Sequence, residues 1–284
     1  MIKTRRGFFK SALAIGALPL ALNADEKKAE KSREDNLKFI HITDSHMDLS
    51  DEESVEAIKL MVKFINKNYK DLDFVLFGGD NFNNNVKGNS DALTFKEIIS
   101  KLHCPSYLVR GNKESSPKID DNIQLDEFKK LFMNDKALTV KGKDWLLEKK
   151  GYMILGLDSC IENANNGLYT EETIRFAEET LKRGKPTIIL NHHPYTNYWK
   201  GTKKEDIHKY VLNNTKEVQK RIFGYSNLIL TLSGHKHIDS VTQINKTKVI
   251  VTRGFIRPLD LEQYPMRFVE LSRDKITQKL IYTA

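Results

Sequence analysis

Apolar and polar positions along this chain switch between period 2 and period 3.6, which divides it into short buried strands and amphipathic helices. Phe39-Ile40-His41-Ile42 predicts an apolar strand running into Thr43-Asp44-Ser45-His46-Met47-Asp48. From Glu52 to Tyr69, apolar residues at Val55, Ile58, Met61, Val62, Ile65 and Tyr69 form a helical stripe. Phe74–Phe77 predicts a buried strand ending in Gly78-Gly79-Asp80-Asn81. A helix follows over about 91–102, and then a strand, Ser106–Arg110, ending in Gly111-Asn112-Lys113-Glu114. Gln124–Met133 predicts a helix, and Trp145–Glu148 with Tyr152–Leu157 a hairpin. Thr170–Arg183 is a punctuated helix, with a threonine N-cap, Glu171 and Glu172 in the first turn and Gly184 just beyond. Thr187–Leu190 predicts a strand ending in Asn191-His192-His193-Pro194, Lys203–Ile222 helices, and Leu228–Leu232 a strand ending in Ser233-Gly234-His235-Lys236-His237. Ser240–Ile244, Lys248–Thr252, Arg267–Ser272 and Ile276–Tyr282 complete a β-rich tail. A β-α-β-α-β half followed by a strand-rich half predicts a two-sheet α/β sandwich flanked by helices.

The chemistry sits where strands end. In an extended segment residues i and i+2 share a face, so Asp44 and His46 are expected to grip one ion. Asp206-Ile207-His208 has the same spelling in a helical stretch, where i and i+2 diverge by about 200° and cannot share a small ion. The strand exits supply Asp44, His46, Asp80, Asn112, His192 or His193, His235 and His237. Oxygen and imidazole donors without thiolate suit Mn, Fe or Zn. So many ligands exceed the need of one tetrahedral ion and suit two ions sharing a carboxylate, about 3.5–4 Å apart.

The first 24 residues differ in composition from the rest of the chain. Met1–Lys10 carries Lys3, Arg5, Arg6 and Lys10 without an acid, and a short apolar run from Ser11 to Leu22 follows. That run is shorter than the ~20 residues that span a bilayer, so residues 1–24 predict a signal peptide and not a stable membrane insertion. Thr4-Arg5-Arg6-Gly7-Phe8-Phe9-Lys10 resembles the twin-arginine (Tat) signal, which implies the Tat export machinery as partner and a bacterial periplasmic location. Residues 25–36 are nearly all charged or polar and predict a flexible tether, leaving 37–284 as the folded domain. Losing the leader removes four of 46 basic residues and none of 38 acidic ones, for a net charge of +4. So mild and dispersed a charge argues against a nucleic-acid partner. Cys104 precedes one strand and Cys160 follows another, which predicts two unpaired thiols in spite of an oxidising compartment.

Together, Asp44-x-His46, Gly79-Asp80, Gly111-Asn112-x-Glu114, His192-x-Pro194 and Gly234-His235-x-His237 resemble the calcineurin-like metallophosphoesterase signature, over residues 37–284. The resemblance implies an α/β fold, a four-layer α/β/β/α sandwich with a dinuclear site at the strand carboxyl ends. It implies that Asp44, His46 and His237 hold one metal, that Asn112, His192 and His235 hold the other, and that Asp80 bridges. His192 is preferred to His193 because the family pattern is His-x-Pro. The implied activity is metal-dependent hydrolysis of a small phosphomonoester or phosphodiester, with a hydroxide bridging the two ions attacking phosphorus in line. Two departures stand out. The family's Gly-Asn-His-Asp/Glu has Lys113 in place of the histidine that protonates the leaving group or contacts the phosphate, so Lys113 joins Asp80 and Asn112 as a catalytic candidate. Purple acid phosphatases place a tyrosine three residues after the bridging aspartate, where this chain has Asn83. A nuclease of the same fold and a catalytically weakened metal- or phosphate-binding protein remain the alternatives.

Other residues carry weaker expectations. His41 is out of phase with Asp44 and is expected to be packed or at the surface, while His103 and His208 are expected to face solvent. Asp158 can stand behind the ligands or serve a turn. Tyr195, Tyr198 and Trp199 are expected to pack on the body and not to wall a substrate pocket.

Overall fold

Strand β1 (Leu37–Ile42) is buried at almost every position because it lies in the interior of a sheet, with β2 (Phe74–Phe77) parallel on one side and β11 (Pro265–Ser272) antiparallel on the other. The computed structural model describes residues 36–83, 88–115, 123–196, 203–256, 264–272 and 275–283. The expected signal peptide, nearly all of the tether, Tyr198 and Trp199 lie outside these residues, as do the side chains of Asp206 and His208. With β3 (Ser106–Leu108) and β12 (Lys275–Tyr282), the first sheet runs in the order β12-β11-β1-β2-β3.

A second sheet has seven strands. They are β4 (Leu138–Lys141), β5 (Asp144–Lys149), β6 (Tyr152–Gly156), β7 (Thr187–Leu190), β8 (Leu228–Ser233), β9 (Ser240–Ile244) and β10 (Thr247–Val251). Their order is β4-β5-β6-β7-β8-β10-β9, with β6, β7, β8 and β10 parallel. Strand alternation divides its faces. Ile188 and Leu190 of β7 join the core shared with the first sheet, whereas Ile189 packs into a separate core with helices. The sheets are tied together at Trp145, which packs on Tyr107 and donates its indole N–H to Leu108 O at 2.7 Å.

Helices α1 (Glu52–Asn68), α2 (Ser90–Ile99) and α4 (Leu125–Phe132) bury their apolar faces in the core that contains the first sheet. Helices α5 (Glu171–Leu181) and α6 (Thr215–Ile222) cover the outer face of the second sheet. In α1 the predicted stripe is the buried face, with Ile58, Met61, Val62 and Ile65 inside. Each such side chain contributes about 1.5–3 kcal/mol. Asp51 caps α1 and Thr170 caps α5 through their side-chain oxygens. Two mixed sheets with flanking helices give the α/β sandwich expected from the sequence.

Three local readings differ. The hairpin gains a third strand, β4, because Gly142 takes φ 62° and turns the chain back from β4 to β5. Residues 112–115 form a one-turn helix, α3 (Asn112–Ser115), where a strand exit alone was expected. The stretch read as helices from Lys203 to Ile222 is a 3₁₀ segment, Lys204–Lys209, then α6. Both cysteines are free thiols, Cys104 half-buried and Cys160 buried, and the strands they flank belong to different sheets.

Candidate dinuclear metal centre

Parallel strands deliver their carboxyl ends to one edge, and every sequence-predicted ligand leaves such an end. Asp44 and His46 follow β1, Asp80 follows β2, Asn112 opens α3 after β3, His192 follows β7, and His235 and His237 follow β8. The structure brings all seven residues together.

The way they converge corrects the extended-strand expectation. Asp44, His46, Asp80, His235 and His237 have φ of 53°, 41°, 50°, 70° and 54°, all in the left-handed region. Such φ is uncommon outside glycine and clusters at functional sites. Asp44 and His46 therefore meet through alternating turns and not through the pleat. The exits remain paired while turning, with Asp44 N–H donating to Gly79 O at 3.0 Å and His46 N–H to Asp80 O at 2.9 Å. Gly234 is required by close approach: a Cβ there would lie 1.9 Å from Thr43 Oγ1 and 2.4 Å from Asp44 Oδ2.

Two clusters share Asp80. In the first, His237 Nε2 lies 3.3 Å from Asp44 Oδ1 and 3.1 Å from His46 Nε2, which is 3.8 Å from Asp80 Oδ2. In the second, His192 Nε2 lies 3.5 Å from Asp80 Oδ1, 3.2 Å from Asn112 Oδ1 and 3.2 Å from His235 Nδ1. One carboxylate thus turns one oxygen to each cluster, which is what a bridge requires.

The outer ring nitrogens test the fit to metal. His192 Nδ1 donates to Gly78 O at 2.9 Å, and His235 Nε2 donates to Lys209 O at 2.9 Å. Carbonyl oxygens only accept, so these nitrogens carry protons, and in the neutral rings the inner nitrogens present their lone pairs. Lone pairs 3.2 Å apart beside carboxylates call for a cation between them. The electrostatics agree. Burial alone would depress His192, but Asp80 and Asp44 outweigh it and raise it to about 9, so without a cation a second proton takes the inner nitrogen, at the position a metal would fill. Burial would raise both aspartates, yet His237 holds Asp44 and His192 holds Asp80 well below the usual carboxylate range. The donor set and its field suit a divalent cation pair.

His193 lies in contact with this cluster but has no lone pair to offer. Asn165 O only accepts, so Nε2–H donates to it at 3.1 Å, and Nδ1 of the neutral ring accepts the Ser159 hydroxyl at 2.8 Å, whose oxygen takes the His193 backbone N–H at 3.2 Å. Burial holds the ring well below the ordinary histidine value, hence neutral. His192 is left as the ligand candidate of the pair.

Glu114 closes the Gly111-Asn112-x-Glu114 motif. Its carboxylate is fully buried and accepts four backbone N–H groups: Gly111 at 2.7 Å, Asp80 at 3.1 Å, Asn81 at 2.6 Å and Phe82 at 3.3 Å. It staples the β2 exit to the β3 exit. Burial and the neighbouring Asp80 push it up to about 7 against the pull of those N–H groups. Asp158 lies behind the site in an ion pair of 2.6 Å with Arg110 Nε, one residue before Gly111. His41 is fully buried, its Nδ1 2.9 Å from Thr252 Oγ1, and His103 is exposed. Tyr195 packs on Tyr169 and Phe223 inside the second core.

Residues 37–239 match the family model described as calcineurin-like phosphoesterase, and the chain belongs to that family. It is a metal-dependent phosphoric ester hydrolase. A probable cyclic nucleotide phosphodiesterase of Fibrobacter succinogenes (strain ATCC 19169 / S85) is 27% identical over 222 residues, covering 76% of this chain and 78% of the relative. Among solved structures, a dimetal phosphatase from Danio rerio superposes with a TM-score of 0.63 at 12% identity, over 87% of this chain and 99% of the other. A purple acid phosphatase from yellow lupin (Lupinus luteus) superposes with a TM-score of 0.58 at 12% identity, over 87% of this chain and 52% of the other. These likenesses concern the fold. Among the described residues, no helix is long and apolar enough to cross a membrane.

Proposed function

We propose that this protein is an exported dinuclear phosphoesterase acting on small phosphomonoesters or phosphodiesters. The observation that carries the reading is Asp80, whose two oxygens face two separate imidazole clusters. Asp44, His46 and His237 would hold one ion, and Asn112, His192 and His235 the other, with Asp80 between them. When bound, Mn, Fe or Zn ions supply a nucleophilic water at neutral pH and neutralise charge on phosphoryl oxygens. The chain's own part is placement. Gly78 O and Lys209 O aim the imidazoles, Glu114 holds the two loops together, and the buried carboxylates exclude a second anion until cations are in place. Lys113, at the head of α3, is the cation to grip a phosphoryl oxygen and only a slow proton donor to the leaving group. A phosphodiester reading is favoured by the Fibrobacter relative, a probable cyclic nucleotide phosphodiesterase.

Purified protein loaded with Mn should hydrolyse aryl phosphomonoesters, aryl phosphodiesters or cyclic nucleotides, and a panel of these ranks the classes. No turnover of any ester by the Mn-, Fe- or Zn-loaded protein would leave a metal- or phosphate-binding role. Salt-dependent binding to DNA would favour the nuclease alternative. Export to the periplasm through the Tat machinery rests on Arg5-Arg6. Replacing both with lysine should leave the precursor in the cytoplasm, and unchanged export would point to the general secretory route.

A further inference from the structure

His46 differs from the other ligand candidates in how its outer nitrogen is held. Its Nδ1 lies 3.0 Å from Asn83 Oδ1, and not from a backbone carbonyl. A side-chain amide can present either its oxygen or its NH₂ group, so this contact alone does not settle which imidazole nitrogen carries the proton. The next residue settles it. Asn83 Nδ2 donates to Asp48 Oδ2 at 3.0 Å, and a carboxylate only accepts. The other oxygen, Asp48 Oδ1, takes the Ser50 N–H at 2.9 Å and the Ser50 hydroxyl at 2.5 Å, so donors face both sides of the group. Asp48 is buried, and the Asn83 backbone is pinned by its N–H to Met47 O at 2.8 Å.

We propose that Asp48 and Asn83 form a relay that selects the metal-ligating tautomer of His46. The carboxylate fixes the amide, the amide oxygen takes the Nδ1 proton, and the Nε2 lone pair is left facing His237 Nε2 at 3.1 Å. Asn83 therefore does its work from behind a ligand, at the sequence position where purple acid phosphatases carry a tyrosine. The inference rests on the dinuclear reading for its purpose, but its geometry concerns this chain alone.

Asp48→Asn is the diagnostic change. The Ser50 donors retain an oxygen at position 48, so the new NH₂ turns toward Asn83. The Asn83 amide then turns over, offers N–H to Nδ1 and drives the His46 proton onto Nε2. Nitrogen-15 NMR of the metal-free protein above about pH 8 reads this directly, since histidine there is neutral at its ordinary pKa. Wild type should show His46 protonated on Nδ1, D48N should shift toward the Nε2–H form, and the ion beside His46 should bind about 10–100-fold more weakly by calorimetry. The exchanged double variant D48N/N83D rebuilds the relay in reverse, with an amide at position 48 donating to a carboxylate at position 83. It should recover both the tautomer and the affinity. A D48N protein with wild-type tautomer and affinity overturns the relay. So does a double variant no better than D48N, because a purely structural loss would not be rescued by exchange. If wild type binds no metal, the dinuclear reading fails, while the NMR comparison still decides the relay.

Discussion

The backbone N–H of Lys113 donates to Asp80 Oδ1 at 2.7 Å. This bond belongs to the turn that opens α3 and not to the side chain at position 113, so substitution there leaves the shared carboxylate in place. Lys113→His should therefore keep both ions and raise rates for alkyl esters by about tenfold or more, as expected of a positioned general acid, with little effect on aryl esters. Lys113→Ala should slow every ester through the lost phosphoryl contact. The slope of kcat/KM against leaving-group pKa across the three proteins is the measurement, and an alanine variant equal to wild type on every ester removes Lys113 from the reaction.

Asp80 is irreplaceable for a different reason. Removing its carboxylate deletes a ligand from both clusters at once and leaves His46 and His192 with Asp44 as the remaining anion. Asp80→Ala should lose both ions in elemental analysis after metal loading, with activity down at least about 10³-fold. Loss of one ion with the other retained at wild-type affinity would show that Asp80 serves one cluster only.

The sequence exposed the ligands because each strand exit is a local event. A short apolar run followed by a donor can be read within about ten residues, directly at Asp44 and His192 and after a glycine or two at Asp80, Asn112, His235 and His237. Long-range consequences were not legible. Nothing near Asp44 announces that Gly234, far along the chain, must lack a Cβ to let Asp44 approach. Left-handed φ at aspartate and histidine opposes local preference and is held by tertiary pairing between exits, so propensity could not predict it. His193 and Glu114 lay within the motifs, yet their partners Ser159, Asn165 and the β2-exit amides come from other loops. β4 was missed because Leu138–Lys141 is largely exposed, with neither clear alternation nor a buried run to mark it.

Glu114 offers a stability test separate from catalysis. Glutamine keeps the shape but replaces one acceptor oxygen with an NH₂ group, which then faces either the Asn81 and Phe82 donors or the Gly111 and Asp80 donors. Two buried N–H groups without acceptors cost about 1–3 kcal/mol each. Glu114→Gln should unfold about 2–6 kcal/mol more easily in urea without metal and bind metal more weakly, since both ligand loops loosen together. An unchanged unfolding midpoint would mean that the four bonds to the carboxylate are dispensable.

Asp144 sets a pH dependence away from the metal ligands. It is buried at the start of β5, accepts the Asp158 N–H at 2.7 Å, and lines an open cavity of about 610 Å³ with Lys141, Thr173 and Arg175. Burial raises it from 3.8 to about 7, with the Asp158 charge adding to the rise and the Asp158 N–H opposing it. A folded-state value above the unfolded one means that protonation favours the folded chain. The contribution is fully present below about pH 4 and is lost as pH rises through about 7. The whole gap corresponds to at most about 4 kcal/mol, and relaxation around the charge brings the expectation to about 1–3 kcal/mol. An amide at position 144 cannot ionise and can still accept the Asp158 N–H, so Asp144→Asn should gain stability relative to wild type between about pH 5 and 8. Taking the difference between the two proteins cancels the histidines and Glu114, which titrate in both. Urea unfolding of each protein across that range gives the curve, and a difference that stays flat with pH would show that Asp144 has an ordinary carboxylate pKa.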